Sequence, residues 1–149
     1  MIRIADWNSG KFLTFSSGFF LLPASYGWYI YSLTLAPFIL TTASIISMNY
    51  WRDALDNWRR QLDLYYAKFT LSYCVYNGIV NCPTTYTLFI GFPSLYGMLH
   101  CFNKSHEMYE YREDTKIWIV YHMGFHTLVT TQLFAMMYYM GKNNLEKIK

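Results

Sequence analysis

The feature that most restricts what this chain can fold into is a series of apolar runs of about 17 to 24 residues between Phe12 and Met140, a length near the roughly 20 residues that span a bilayer as a helix. The runs predict an all-α protein, a polytopic transmembrane helical bundle of about five helices. The expected spans are residues 12–31, 33–50, 62–80, 85–101 and 117–140, in one integral membrane domain covering 1–149. Composition points the same way: 54% of the residues are hydrophobic, 21% aromatic and only 14% charged, well below the charge content usual in soluble domains. Mean hydropathy is only +0.09 because the 15 tyrosines score as polar, although their amphipathic rings suit a membrane interface.

Local signals punctuate the runs. Pro23 and Gly27 predict a kinked first helix, and Pro37 falls in the first turns of the second, where proline does least harm. WRDALDNWRRQLD, residues 51–63, reads as an interfacial loop or short helix. NGIVNCP supplies turn chemistry at Gly78, Asn81 and Pro83, Gly91, Pro93 and Gly97 predict a bent fourth helix, and FNKSHEMYEYREDTK, residues 102–116, reads as a polar loop. Arg3, Lys11, Arg52, Arg59, Arg60, Lys104, Arg112 and Lys116 then share one face, against Lys142, Lys147 and Lys149 on the other. The positive-inside rule places the amino terminus on the cytoplasmic side and the carboxyl terminus outside. No cleaved signal is expected. Three cysteines without a CxxC spacing argue against a disulfide framework or zinc finger, and a net charge of +3 without a basic run argues against nucleic acid as a partner.

Ionisable groups inside apolar helices are costly, so each is a site candidate. His122 and His126 stand four apart on one face of the fifth helix, a spacing at which both imidazoles reach one metal ion. Hydrogen bonding to neighbouring hydroxyls is the structural alternative. Asp63 opens the third helix, where the helix amino terminus favours an acid. Ser44 and Ser47 share one side of the second helix, consistent also with close packing by small residues. His100 ends the fourth helix. The alternation of direction along the chain puts Ser47, Asp63, His100 and His122 at similar depths, where a bound ion polarises water and a carboxylate acts as base.

Together, Ser47, Asp63 and the His122/His126 pair resemble the site pattern of the alkaline ceramidase and progestin-receptor-like (PAQR) superfamily of membrane hydrolases. The resemblance implies a zinc ion held by His122 and His126, a zinc-bound water held by Ser47 and activated by Asp63, and hydrolysis of lipid amides. One position departs from it: a turn after Ser47, where the family carries its third metal-ligating histidine, stands Trp51. His100 is the remaining candidate for that ligand. The family has seven spans against the five expected here. A second likeness is local: SMNYWRDALDNWRRQLDLYYAKF, residues 47–69, is similar to a YWR…WRR…LD signature in short, uncharacterised membrane proteins of giant DNA viruses and some protists, and implies no activity.

Three function classes follow. The first is a small multi-pass membrane protein with a Ser/Asp/His cluster and no turnover, a degenerate hydrolase relative or a subunit of a membrane assembly. The second is a zinc-dependent membrane lipid hydrolase with Ser47 and Asp63 as catalytic residues and His122, His126 and His100 as metal ligands. The third is a pigment- or haem-binding accessory subunit, since membrane histidines also serve as axial ligands. The expected partners are membrane lipids and other membrane subunits.

Overall fold

A computed structural model of the chain describes residues 3–111 and 117–147, and these form five helical rods. Helix α1 (Trp7–Ser17), a 3-10 turn (Gly18–Phe20) and α2 (Leu21–Tyr31) make the first; α3 (Leu35–Trp51) and α4 (Trp58–Asn81) are the second and third. The fourth joins the single turn α5 (Thr84–Tyr86), a π-helical stretch (Thr87–Gly91) and α6 (Phe92–Tyr111), and α7 (Ile117–Glu146) is the last. The all-α class and the five helices agree with the sequence. Among the described residues there is no strand, only an isolated bridge between Arg3 and Leu55.

Local chemistry sets the boundaries. Asp6 caps α1 by accepting from the Ser9 N–H at 2.9 Å, and Asn57 caps α4 by accepting from the Arg59 N–H at 2.9 Å. Ser32, at φ 52°, ends α2 in the left-handed conformation, with its N–H on the Trp28 carbonyl and the Leu33 N–H on that of Gly27. Pro93 clashes with the turn before it in a regular helix, and the π-helical stretch lies over that turn. The polar loop expected at 102–116 is helical as far as Tyr111, since Lys104, Glu107 and Met108 are good helix formers and Lys104 Nζ pairs with Glu107 one turn on at 2.6 Å. Arg112, Lys116 and Lys149 lie outside the described residues.

Helix α7 runs along α6, α2, α1 and α4, and α3 lies between α1, α2 and α4. Two cores result. An aromatic one gathers Leu13, Tyr50, Trp51, Ala54, Trp118 and Ile119. An aliphatic one gathers Ala24, Ala36, Leu40, Leu133, Met136 and Met137. Gly10 lets α1 rest on the end of α3: a Cβ there would stand 2.6 Å from the Trp51 carbonyl oxygen.

The transmembrane expectation is corrected. Among the described residues no helix is long and apolar enough to cross a membrane. The first run is divided between two helices of 11 residues, and α3 is 17 residues long, about 26 Å at 1.5 Å per residue. Helix α4 carries Arg59, Arg60, Asp63 and Lys68, α6 carries His100, Lys104 and Glu107, and the long α7 is interrupted by His122, His126, Gln132 and several threonines. The multi-pass reading, the membrane hydrolase and the membrane pigment or haem subunit all lose the spans they were built on, as does the assignment of the two termini to opposite sides of a bilayer. Large apolar side chains nevertheless stay exposed, among them Phe15, Tyr29, Phe89 and Tyr96.

Candidate functional site

Four of the five site residues expected from the sequence border one cavity of about 200 Å3. Ser47, Asp63, His122 and His126 come from α3, α4 and α7. The wall repeats at helical spacing: Leu40, Ala43, Ser47 and Trp51 on α3; Arg60, Asp63, Ala67, Thr70 and Cys74 on α4; His122, His126, Val129 and Leu133 on α7. Because α3 and α4 form an antiparallel hairpin, Ser47 and Trp51 meet Arg60 and Asp63 at one end, while Leu40 meets Thr70 and Cys74 at the other. The cavity is therefore polar at one end and apolar at the other. A second space of about 90 Å3 shares Leu71, Cys74, Val129 and Leu133 with it and lies beyond the apolar end.

His100 does not join the cluster. It is exposed, stacked on Tyr96 at 6.4 Å between ring centroids and edge-on to Tyr121 at 6.5 Å. It is not among the residues that line the cavity. Ser44 is buried and spends its hydroxyl on the Ser17 carbonyl at 2.8 Å.

Serines hold the histidines. His126 Nδ1 is 2.8 Å from Ser16 Oγ, and His122 Nδ1 is 3.3 Å from Ser105 Oγ. Each ring's Nε2 points away from its serine, and both rings line the cavity. The two rings stand 4.9 Å apart, nearly perpendicular. Burial pushes His122 down to about 4, and burial and then the neighbouring His122 imidazole, which would repel it if both were protonated, hold His126 well below its ordinary range, so both are neutral at pH 7. Ser47 Oγ lies 3.0 Å from Ser17 Oγ, which donates to the Leu13 carbonyl at 2.8 Å. Burial raises Asp63 to about 6 against the opposing hydrogen bond of the Ser47 hydroxyl, so Asp63 can exchange a proton near neutral pH.

Ser16, Ser17 and Ser105 were not singled out from the sequence; the adjacent pair Ser16-Ser17 inside the first apolar run was the available signal. Trp51 carries the most telling feature. Its ring packs on Tyr50 and edge-on against His122 at 5.1 Å, and its Nε1–H is buried without a hydrogen-bond partner. Thr70 Oγ1, on the same cavity wall, is likewise buried and unpartnered.

The donor set does not fit a catalytic zinc ion. Such an ion keeps about three protein ligands, and among the described residues no group of three or more His, Cys, Asp or Glu side chains is placed to hold a metal. The indole of Trp51, which cannot ligate, stands against His122. Comparisons with protein-family models, curated proteins and solved structures gave no match.

Proposed function

We propose that the protein binds a small, single-chain, lipid-derived amphiphile in the cavity between α3, α4, α6 and α7, with the polar head at the Ser47–Asp63–His122–His126 end. The observation that carries this reading is the polarity gradient along one cavity: hydroxyl, carboxyl and imidazole groups from three helices at one end, and Leu40, Leu71, Val129 and Leu133 toward the other. A few placed polar groups in a mainly apolar wall are the usual make-up of a small-molecule site. From Arg60 to Cys74 the α4 wall is about 21 Å long at 1.5 Å per residue, which suits an extended chain better than a compact ring system.

Displacement of the methyl ester of dansylated undecanoic acid, a probe with an uncharged head, tests the reading. The probe is expected to gain fluorescence on binding and to be displaced by unlabelled amphiphiles. Ala43→Leu, which places a larger side chain in the cavity from the buried face of α3, is expected to weaken binding at least about tenfold. Failure of the probe to bind, or equal binding by Ala43→Leu, would sink the proposal.

A further inference from the structure

Resting on that reading, we infer that the polar end receives an uncharged carbonyl oxygen, as in an ester or ketone head, and that Trp51 Nε1–H is its hydrogen-bond donor. Buried polar groups are almost always satisfied, so an orphaned N–H on a side chain that lines a cavity asks for a partner that arrives with the ligand. An indole offers a donor and no acceptor, so the incoming atom must be an acceptor.

The rest of the polar end decides what kind of acceptor. Asp63 and Arg60 both border the space; the Arg60 guanidinium is already engaged by Asp56 at 2.9 Å. A carboxylate head would meet the Asp63 carboxylate, with the Arg60 guanidinium already shared with Asp56 and the His106 ring as a further basic group on the wall, whereas a neutral carbonyl meets no such repulsion. The His122 and His126 imidazoles, neutral and with Nδ1 held by serines, add no positive charge. The Trp51 N–H is covered in this structure, so an oxygen reaches it after a side-chain adjustment of the kind common on ligand binding. Trp51 thus sets a hydrogen-bond donor that cannot ligate a metal against His122, and the site takes an oxygen atom in place of a metal ion.

The test uses the full chain labelled with 15N at its five tryptophan indoles and three probes of matched length: methyl decanoate, decanoate and 1-chlorodecane. Methyl decanoate is expected to shift one indole N–H signal, the one missing from Trp51→Phe, and to bind about tenfold more tightly than 1-chlorodecane, the cost of leaving a buried polar atom unpaired. That preference is expected to disappear in Trp51→Phe. Should the variant not fold, the ligand comparison on the unaltered chain decides alone. Equal affinity for methyl decanoate and 1-chlorodecane would overturn the inference while leaving the binding site intact, and tighter binding of decanoate at pH 7.5 would overturn the uncharged head. If none of the three probes binds, the binding proposal itself fails. In a parallel arm, elemental analysis is expected to find no stoichiometric zinc in the unaltered chain and about one zinc per chain in Trp51→His. Stoichiometric zinc in the unaltered chain, or none in Trp51→His, would overturn the role given to Trp51.

Discussion

The two cores solve the same packing problem in different ways. Around Met137 the buried partners are aliphatic or small, with Phe20, Tyr26 and Tyr73 packed outside them, and Met137, Leu40 and Ala36 are at most 2% exposed. Around Trp51 the partners are rings, meeting at 4.7 to 6.2 Å, and the same rings wall a cavity with polar atoms on it. Flexible side chains such as methionine fill irregular gaps, whereas planar ones leave space between their edges. The packing around Met137 is thereby closed, while the rings around Trp51 leave room able to hold a ligand.

The largest expected effect is in the closed core. Met137→Ala should cost about 3 kcal/mol in urea-induced unfolding, because the methionine is completely buried and its neighbours cannot collapse into the space. A loss well under 1 kcal/mol would show that this core is as loosely filled as the other.

In the open core, removing a charge should stabilise. Asp63 is raised to about 6, so the folded protein takes up its proton before the unfolded chain does. Its destabilising effect is complete above pH 6 and disappears as pH falls toward 3.8. Asp63→Asn is therefore expected to gain about 2 kcal/mol at pH 7.5 and nothing at pH 3.5, measured by chemical denaturation at both values.

The histidines run in the opposite direction. His122, lowered to about 4, stays neutral in the folded protein while the unfolded chain takes up a proton below 6.5. Stability is lost as pH drops from 6.5 toward 4. Over pH 4 to 6 the Asp63 gain masks this loss, so Asp63→Asn should uncover an acid-sensitive limb of about 2 kcal/mol. The limb should shrink when His122→Phe is added. A flat profile in Asp63→Asn would contradict the burial of the imidazoles.

The smallest expected effect is Ala43→Leu, which should change stability by less than about 1 kcal/mol because the added atoms enter existing space. Beside the loss at Met137→Ala, this contrast is the most direct check that the cores differ. Thermal unfolding by circular dichroism would read both.

Much of the fold was legible because periodicity and capping are local. The apolar run of α3 and the turn residues Asn81 and Pro83 after α4 are readable in the sequence. Run length and aromatic content predict membrane spans because they look alike in a span and in a helix packed against other helices, whereas no described helix is long and apolar enough to cross a membrane. The turn at 18–20 and the polar groups of α4 become informative only once the helices are seen assembled. Within the site, Ser47, Asp63, His122 and His126 were legible as rare polar groups in apolar helices. His100 met the same criterion and lies outside the cavity, because sequence gives depth along a helix but not the direction its side chain faces.

The sequence by itself determined the helices, their order and the presence of a small set of polar side chains near one end of the bundle. The tertiary structure alone decided which of those side chains share a cavity, that serines from α1 and α6 hold the two imidazoles, and that the Trp51 N–H is buried without a partner. The reason is physical: helix formation and capping depend on neighbours within about four residues, whereas burial, hydrogen-bond satisfaction and shifted titration depend on atoms that the packing brings in from distant parts of the chain.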